Sequence, residues 1–241
     1  MRNVVGPILV TGASRGIGAA LVERLHADGV EVIGLSRSRP KNLPGHHVEC
    51  DLLDIEAVDS TMAALTAKYE FAGLVNNAGI VLPSRLQDLA WDDYAIVMDL
   101  NVRAAIQMSR WVVPGMIRNG YGRIVTLSSR ATRGAMGRTA YSAAKSALEG
   151  CARTWAMEFA RDGITSNAVA PGPIDTELFR RTRPSGSAAE RRVLSTIPQE
   201  RVGDVSEVAA AIEFLLSRDA GYITGQVLRV DGGASLGVPT G

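Results

Sequence analysis

Cysteine, histidine and lysine are scarce in this chain, and each scarcity closes off a class of function. Cys50 and Cys151 lie too far apart in sequence for a disulfide framework or a structural zinc site, and each reads as a small buried apolar residue. His26, His46 and His47 are too few and too poorly placed for a metal centre, because adjacent His46 and His47 point apart on an extended chain; no metal is expected. No run of about 18 apolar residues exists, and the N-terminus enters Pro7-Ile8-Leu9-Val10 with no basic region, hydrophobic segment and cleavage site ahead of it. The protein is therefore expected in the cytoplasm. A formal net charge of +1, with acids and bases mixed along the chain, leaves no electrostatic footprint for nucleic acid or an anionic membrane. The 241 residues, 46% hydrophobic and 21% charged, fit a single domain spanning 1–241.

The lysine shortage makes one lysine conspicuous. Only Lys41, Lys68 and Lys145 occur among 26 basic residues. Lys145 follows Tyr141 by four positions, a spacing that puts both side chains on one face of a helix. An ammonium beside a phenol favours the phenolate and lowers a pKa that is ordinarily about 10, so the tyrosine can trade a proton with a substrate near neutral pH. A surface tyrosine with a lysine one turn away is common, and the pair gains weight only from its company.

Apolar runs of strand length alternate with helical patterns along the whole chain. Strands are expected at Ile8 to Val10, Glu31 to Leu35, His47 to Cys50, Gly73 to Val75, Gly122 to Leu127, Ile164 to Val169 and Gln226 to Val230, with helices near 17–28, 55–69, 92–118, 139–162 and 205–217. Strands that are mostly apolar without alternation fit a parallel sheet covered on both faces. The fold class is therefore α/β, a doubly wound Rossmann-type fold with a seven-stranded parallel sheet flanked by helices. The stretch from about 173 to 200 shows no clear periodicity, and residues 177–200 read as a mobile substrate lid. Its arginines, Arg180, Arg181, Arg183, Arg191 and Arg192, either face solvent or select an anionic group.

The segment Thr11-Gly12-Ala13-Ser14-Arg15-Gly16-Ile17-Gly18 follows the first strand and opens the first helix. Gly12 permits a tight turn, Gly16 lets the backbone approach a pyrophosphate, and Gly18 allows close packing of helix on sheet. The helix N-terminus offers unpaired N–H groups and a positive dipole end to phosphates, to which Ser14 and Ile17 add backbone contacts. After the second strand, Ser36 and Arg37 stand where an acidic residue would bind the ribose hydroxyls of NAD, and Arg37 with Arg15 can clamp a 2′-phosphate. The expected cofactor is NADP(H). Asp51 and Leu52 can face the adenine ring, while Asn77, Ala78 and Gly79 close the fourth strand where the dinucleotide passes.

These residues resemble the classical short-chain dehydrogenase/reductase family over essentially the whole chain. The family's Thr-Gly-x-x-x-Gly-x-Gly matches Thr11 to Gly18, its Asn-Asn-Ala-Gly matches Asn76 to Gly79, its Tyr-x-x-x-Lys matches Tyr141 to Lys145, and Asp99-Leu100-Asn101-Val102 looks like the segment carrying its asparagine. Asn167 to Thr176 resembles the stretch bordering the nicotinamide, which brings in Pro171, Gly172, Ile174 and Thr176 as cofactor contacts. Family spacing of 13 residues before the tyrosine counts to Ser128, whereas aligning strand five favours Ser129 with a shorter loop.

The resemblance implies hydride transfer between NADPH and a carbonyl, with Tyr141 as proton donor, Ser129 on the oxygen, Lys145 tuning Tyr141 and binding the nicotinamide ribose, and Asn101 anchoring a water of the proton relay. Among relatives it points to a 3-oxoacyl-[acyl carrier protein] reductase, with acyl carrier protein as a partner. The family's carrier-contacting basic positions fall on Gly120 and Asp162, with Arg118 and Arg161 nearby. Two alternatives stand beside it: a secondary-metabolite or small-alcohol dehydrogenase, and a non-catalytic dinucleotide-binding or interaction protein. Helices near 103–118 and 143–160, with Ala143, Ala144, Ala147, Ala152, Trp155 and Phe159, suggest a subunit interface and a homotetramer or homodimer.

Overall fold

Strands that are apolar on both sides need cover on both sides, and the computed structural model, which describes residues 3–40 and 42–237, supplies it. The strands are β1 (Ile8–Thr11), β2 (Val32–Ser36), β3 (His46–Glu49), β4 (Gly73–Asn76), β5 (Gly122–Leu127), β6 (Ile164–Pro171) and β7 (Val227–Val230). All pair in parallel, in the order β3-β2-β1-β4-β5-β6-β7. The helices are α1 (Gly16–Ala27), α2 (Ile55–Lys68), α3 (Trp91–Met98), α4 (Ala104–Asn119), α5 (Thr139–Phe159), α6 (Glu177–Thr182), α7 (Ala188–Leu194) and α8 (Val205–Leu216).

Alternate strand residues feed two separate cores. Ile8, Val10, Val75 and Val125 pack with Leu21, Leu25, Val208 and Ile212 of α1 and α8 on one face. Leu9, Ile33, Leu74 and Ile124 pack with Met62, Met108, Val112 and Met116 of α2 and α4 on the other, where Trp155 and Phe159 of α5 also lean. Those two aromatics thus serve the protein's own core, and the large apolar side chains left exposed on α4 and α5 are Ile106, Ile117 and Met157. Ends are set by local chemistry. Asp54 caps α2 by accepting from Ala57 N at 2.9 Å, Asp204 and Glu207 form a capping box on α8, and Gly120 ends α4 at φ 61°. The Arg24 guanidinium reaches from α1 to the fully buried carboxylate of Glu213 on α8 at 2.5 Å.

Two expectations change. The helix foreseen over 92–118 is broken by a π-helical turn, Asp99–Arg103, between α3 and α4. There the Asn101 side-chain amide donates to Val97 O at 2.8 Å, occupying a carbonyl that an α-helix would pair with a backbone N–H. Residues 177–200, read as aperiodic, contain α6 and α7. Six- and seven-residue helices are too short to leave an apolar period in the sequence; Thr176 and Ser187 start them by accepting from Phe179 N at 3.2 Å and Glu190 N at 3.1 Å.

The sheet order reverses between β1 and β4, and a hydrogen-bonded clasp closes their ends. Thr11 Oγ1 donates to Val75 O at 3.3 Å and accepts from Asn77 N and Ala78 N at 3.0 and 3.1 Å, while Asn77 Nδ2 donates to Thr11 O and Gly12 O at 2.9 and 3.0 Å. Thr11→Val keeps the shape and removes the acceptor of Ala78 N, while Asn77 N keeps Val75 O at 3.0 Å. It is expected to cost about 1–3 kcal/mol in urea unfolding, with Thr11→Ser close to wild type.

Candidate active site

The glycine-rich turn is tight because neighbouring chain leaves no room. Gly12 and Gly16 adopt φ of 65° and 58°, a region that favours glycine. A Cβ at Gly12 would stand 2.9 Å from Ala78 Cα, and one at Gly18 only 2.3 Å from Gly12 O and 2.6 Å from Asn77 Nδ2. Gly16 faces more open space, its nearest neighbour being the Thr176 methyl at 3.7 Å from such a Cβ, so the turn and the end of β6 border one crevice. The first turn of α1 carries no acid, and Ser14 is half-buried beside it. Arg15 and Arg37 are exposed at the same end of the sheet.

Four expected contacts are narrowed by packing. Leu52 and Ile174 bury their side chains in the two cores, and Ile17 leans on one of them, leaving the backbone to meet a ligand. Ser36 turns inward, donating to Ser38 O at 3.0 Å and sharing a 3.1 Å hydrogen bond with His47 Nε2. His46 instead tilts toward Tyr69, so the adjacent histidines do face opposite ways. Asp51 is exposed and accepts from Leu53 N at 3.0 Å. Pro171 closes β6, and Gly172 packs so tightly on Asp231 that a Cβ would meet Asp231 Cβ at 2.6 Å.

The second cluster forms where β4, β5, the π turn and α5 meet. The two serines after β5 diverge. Ser128 is buried and donates to Glu149 Oε1 at 2.8 Å, whereas the Ser129 hydroxyl accepts from Ala131 N at 3.1 Å and lies on the Tyr141 side, where it favours the ionised phenol. Lys145 is 3% exposed and donates from Nζ to Leu127 O at 2.7 Å. Asn101, 1% exposed, donates to Ile80 O and Val97 O at 2.9 and 2.8 Å, and its Oδ1 has no partner among the described residues. A Cβ on Gly79 would lie 2.5 Å from Asn101 Oδ1 and 3.2 Å from Lys145 Nζ. Gly79, Asn101 and Lys145 therefore converge on one small space.

The electrostatics depart from the simple phenol–ammonium picture. Burial pushes the Tyr141 phenol above its ordinary value, with the Ser129 hydroxyl and the Arg138 charge pulling the other way. Burial pushes the Lys145 ammonium down to about 8. Nζ is held back at the Leu127 carbonyl, 5.6 Å from the Tyr141 ring centroid, so in this arrangement desolvation outweighs the lysine's pull on the phenol.

The arginines of the 177–200 segment are mostly committed. Arg180 pairs with Asp175 through two bonds of 2.6 Å and with Glu190, and Arg181 pairs with Glu177 at 2.6 Å. Ile197 is buried and packs on the Gly232 turn. The reading of Arg180 and Arg181 as free anion selectors gives way to internal ion pairs. Sequence reasoning passed over Arg138 and Glu149, and gave His47 no role beside Ser36; Arg138, three residues before Tyr141 at the start of α5, could have been found by its place beside the phenol in sequence.

Known proteins resemble this arrangement along its whole length. A family model described as Enoyl-(Acyl carrier protein) reductase matches residues 12–235. The 3-oxoacyl-[acyl-carrier-protein] reductase MabA of Mycobacterium bovis is 39% identical over 95% of this chain and 93% of its own, and the Escherichia coli reductase FabG 37% over 96% and 98%. This chain is a classical short-chain dehydrogenase/reductase. Among solved members of the family, the aldohexose dehydrogenase of Thermoplasma acidophilum superposes with a TM-score of 0.90 at 33% identity, covering 100% of this chain and 97% of that one. A Beutenbergia cavernae protein assigned as an NAD(P)-dependent gluconate 5-dehydrogenase, solved with NADP at low occupancy, gives 0.89 at 32%, with 96% and 98% covered.

Lys145 provides a pH test of the site. In the unfolded chain its pKa is about 10.4, so between pH 8 and that value the unfolded state holds more protons and stability rises with pH. The burial penalty is fully present below about pH 8 and is relieved above it. From pH 7.5 to 9.5, wild type should gain on the order of 2 kcal/mol relative to Lys145→Met in urea unfolding; parallel curves would show that Lys145 is not desolvated.

Proposed function

We propose that the protein is an NADP(H)-dependent carbonyl reductase in which Asn101, Ser129, Tyr141 and Lys145 form the catalytic set. The observation that carries this reading is the convergence of a buried lysine, a buried phenol on which Ser129 acts, and an amide oxygen unpartnered among the described residues, at the carboxyl ends of β4 and β5. Family membership supports the reaction class, and the bound NADP of the Beutenbergia relative supports the cofactor.

The residues present fit a dinucleotide. Gly12, Gly16 and Gly18 leave backbone where side chains would block approach, the N-terminus of α1 is free of acids, and Arg15 and Arg37 offer charge for a 2′-phosphate. Ser36 would act through backbone or after turning outward, and Asn77, Ala78 and Gly79 would line the path toward the nicotinamide. Bound NADPH supplies the hydride. Tyr141 gives its proton to the carbonyl oxygen, and Ser129 holds that oxygen by a hydrogen bond that strengthens as negative charge develops. Lys145 binds the ribose and replenishes the Tyr141 proton, with Asn101 Oδ1 accepting from the relay beside Nζ. Segment 177–200 covers the substrate and keeps water out.

The relatives support two substrate classes. MabA and FabG, by name 3-oxoacyl-[acyl-carrier-protein] reductases, support a carrier-linked 3-oxoacyl thioester, with Arg118 and Arg161 at the carrier surface. The aldohexose and gluconate dehydrogenases support a free small molecule.

Tyr141→Phe is expected to lower turnover roughly 100- to 10,000-fold, and near-normal turnover would remove the assignment. Ser129→Ala should lose more activity than Ser128→Ala; the reverse order would return the role to Ser128. NADPH should bind more tightly than NADH, and Arg37→Ala should erase much of the difference, about 1.5–3 kcal/mol, in fluorescence titrations. Equal affinities in wild type would overturn the cofactor reading.

A further inference from the structure

One cation beside Tyr141 has no carboxylate partner among the described residues. Arg138 immediately precedes α5, three residues before Tyr141, and its charge acts on the phenol. Its guanidinium is partly buried, and Nη1 is shut off from solvent with no acceptor among the described residues. The charged or titratable groups that bear on it are Tyr141 and a second cation, Arg183, at the end of α6; no carboxylate of the described chain does so. Arg183 is half-buried, lies over the Phe179 ring at 5.2 Å and donates to the Thr182 hydroxyl at 2.9 Å.

The neighbourhood makes this exceptional. Arg180 takes Asp175 and Glu190, Arg181 takes Glu177, and Arg201 takes Glu207 at 2.6 Å, so three arginines in this part of the chain stand opposite acids. Arg138 and Arg183 repel each other instead. Burying an unmatched charge beside a like charge costs free energy, and a guanidinium fork is the group best shaped to take a carboxylate bidentately. A ligand whose oxygen meets Tyr141 would bring its next few atoms to Arg138.

We propose that the substrate is an oxo acid, with a free carboxylate within a few bonds of the reacting carbonyl, held by Arg138 and closed over by Arg183. This rests on the carbonyl-reductase reading and selects the free small molecule over the carrier thioester. Hydride from NADPH adds to the carbonyl carbon, the Tyr141 proton adds to oxygen, and the products are a hydroxy acid and NADP+; the carboxylate stays ionised throughout.

The test compares 2-, 3- and 4-oxo acids with their methyl esters, alongside neutral ketones and a 3-oxoacyl thioester, by NADPH consumption with wild type. At least one acid should exceed its ester by about 10- to 100-fold in kcat/KM, mainly through KM, and added salt should narrow the gap. Arg138→Gln should bring the acid-to-ester ratio toward one, and Arg138→Lys, a point charge without the fork, should keep part of it. Acid and ester handled alike by wild type across the panel, or a ratio untouched by Arg138→Gln, overturns the proposal. Turnover of ketones or thioesters without any acid preference overturns this inference alone. No NADPH consumption in any arm, with no NADPH binding, removes the carbonyl-reductase reading and this inference together.

Discussion

The clasp between Thr11 and Asn77 is the constraint on which the rest of the active end depends. A parallel sheet whose order reverses leaves a crevice between the two central strands, and polar backbone at such a crevice must be paired or wet. Here one hydroxyl takes two backbone N–H groups of the chain leaving β4, and one side-chain amide takes two carbonyls of the chain leaving β1. The pairing fixes Ala78 against Gly12 and Asn77 against Gly18, so both glycines are demanded by it. It also sets where Gly79 lies, and Gly79 in turn leaves the room that Asn101 Oδ1 and Lys145 Nζ share. One hydrogen-bonded knot thus positions the glycine-rich turn and the Gly79–Asn101–Lys145 cluster from the same four residues of backbone.

A second constraint is the cost of burying Lys145. An ammonium 3% exposed, donating to Leu127 O at 2.7 Å, is pushed toward neutrality, the property that the proposed role of Lys145 in proton transfer would use. The π-helical turn belongs to the same arrangement. By spending its amide hydrogens on Ile80 O and Val97 O, Asn101 keeps its oxygen uncommitted beside Nζ. A regular helix through 99–103 would have no carbonyl at Val97 to give away, and the oxygen would be free to rotate.

Much of this was legible in the sequence, for identifiable reasons. The seven strands and their parallel pairing follow from apolar runs buried on both faces, and the glycine turn followed by a helix is a local signal that needs no tertiary information. Tyr141 and Lys145 share a face because helical spacing dictates it. What was not legible depends on contacts distant in sequence. His47 meets Ser36 across two paired strands, so nothing local to Ser36 announces that its hydroxyl turns inward. The break at Asn101 arises from a side-chain bond to Val97 that composition cannot forecast. The lysine's effect on Tyr141 was drawn from proximity alone, whereas desolvation, which a sequence does not display, decides the direction for both groups.

Segment 177–200 shows how pairing of charge turns a polar stretch into a single unit. Ten residues separate Arg180 from Glu190, and the ion pair between them joins α6 to α7, while Glu190 Oε2 also accepts from Gly186 N at 2.6 Å and so ties the intervening turn. At its edges the segment is anchored by Asp175 N donating to Gly203 O at 2.8 Å and Gln199 N donating to Gly232 O at 3.2 Å. Two helices too short to be stable alone are thus held as one unit, tied at both ends to the body of the protein. A unit of this kind moves as a body or hardly at all, because bending it internally breaks the Arg180 pairs, whose partly buried carboxylates would then lack a counter-charge. The polar work inside the segment is done by Arg180 and Arg181, and the arginine whose charge bears on Arg138 is Arg183, at the end of α6.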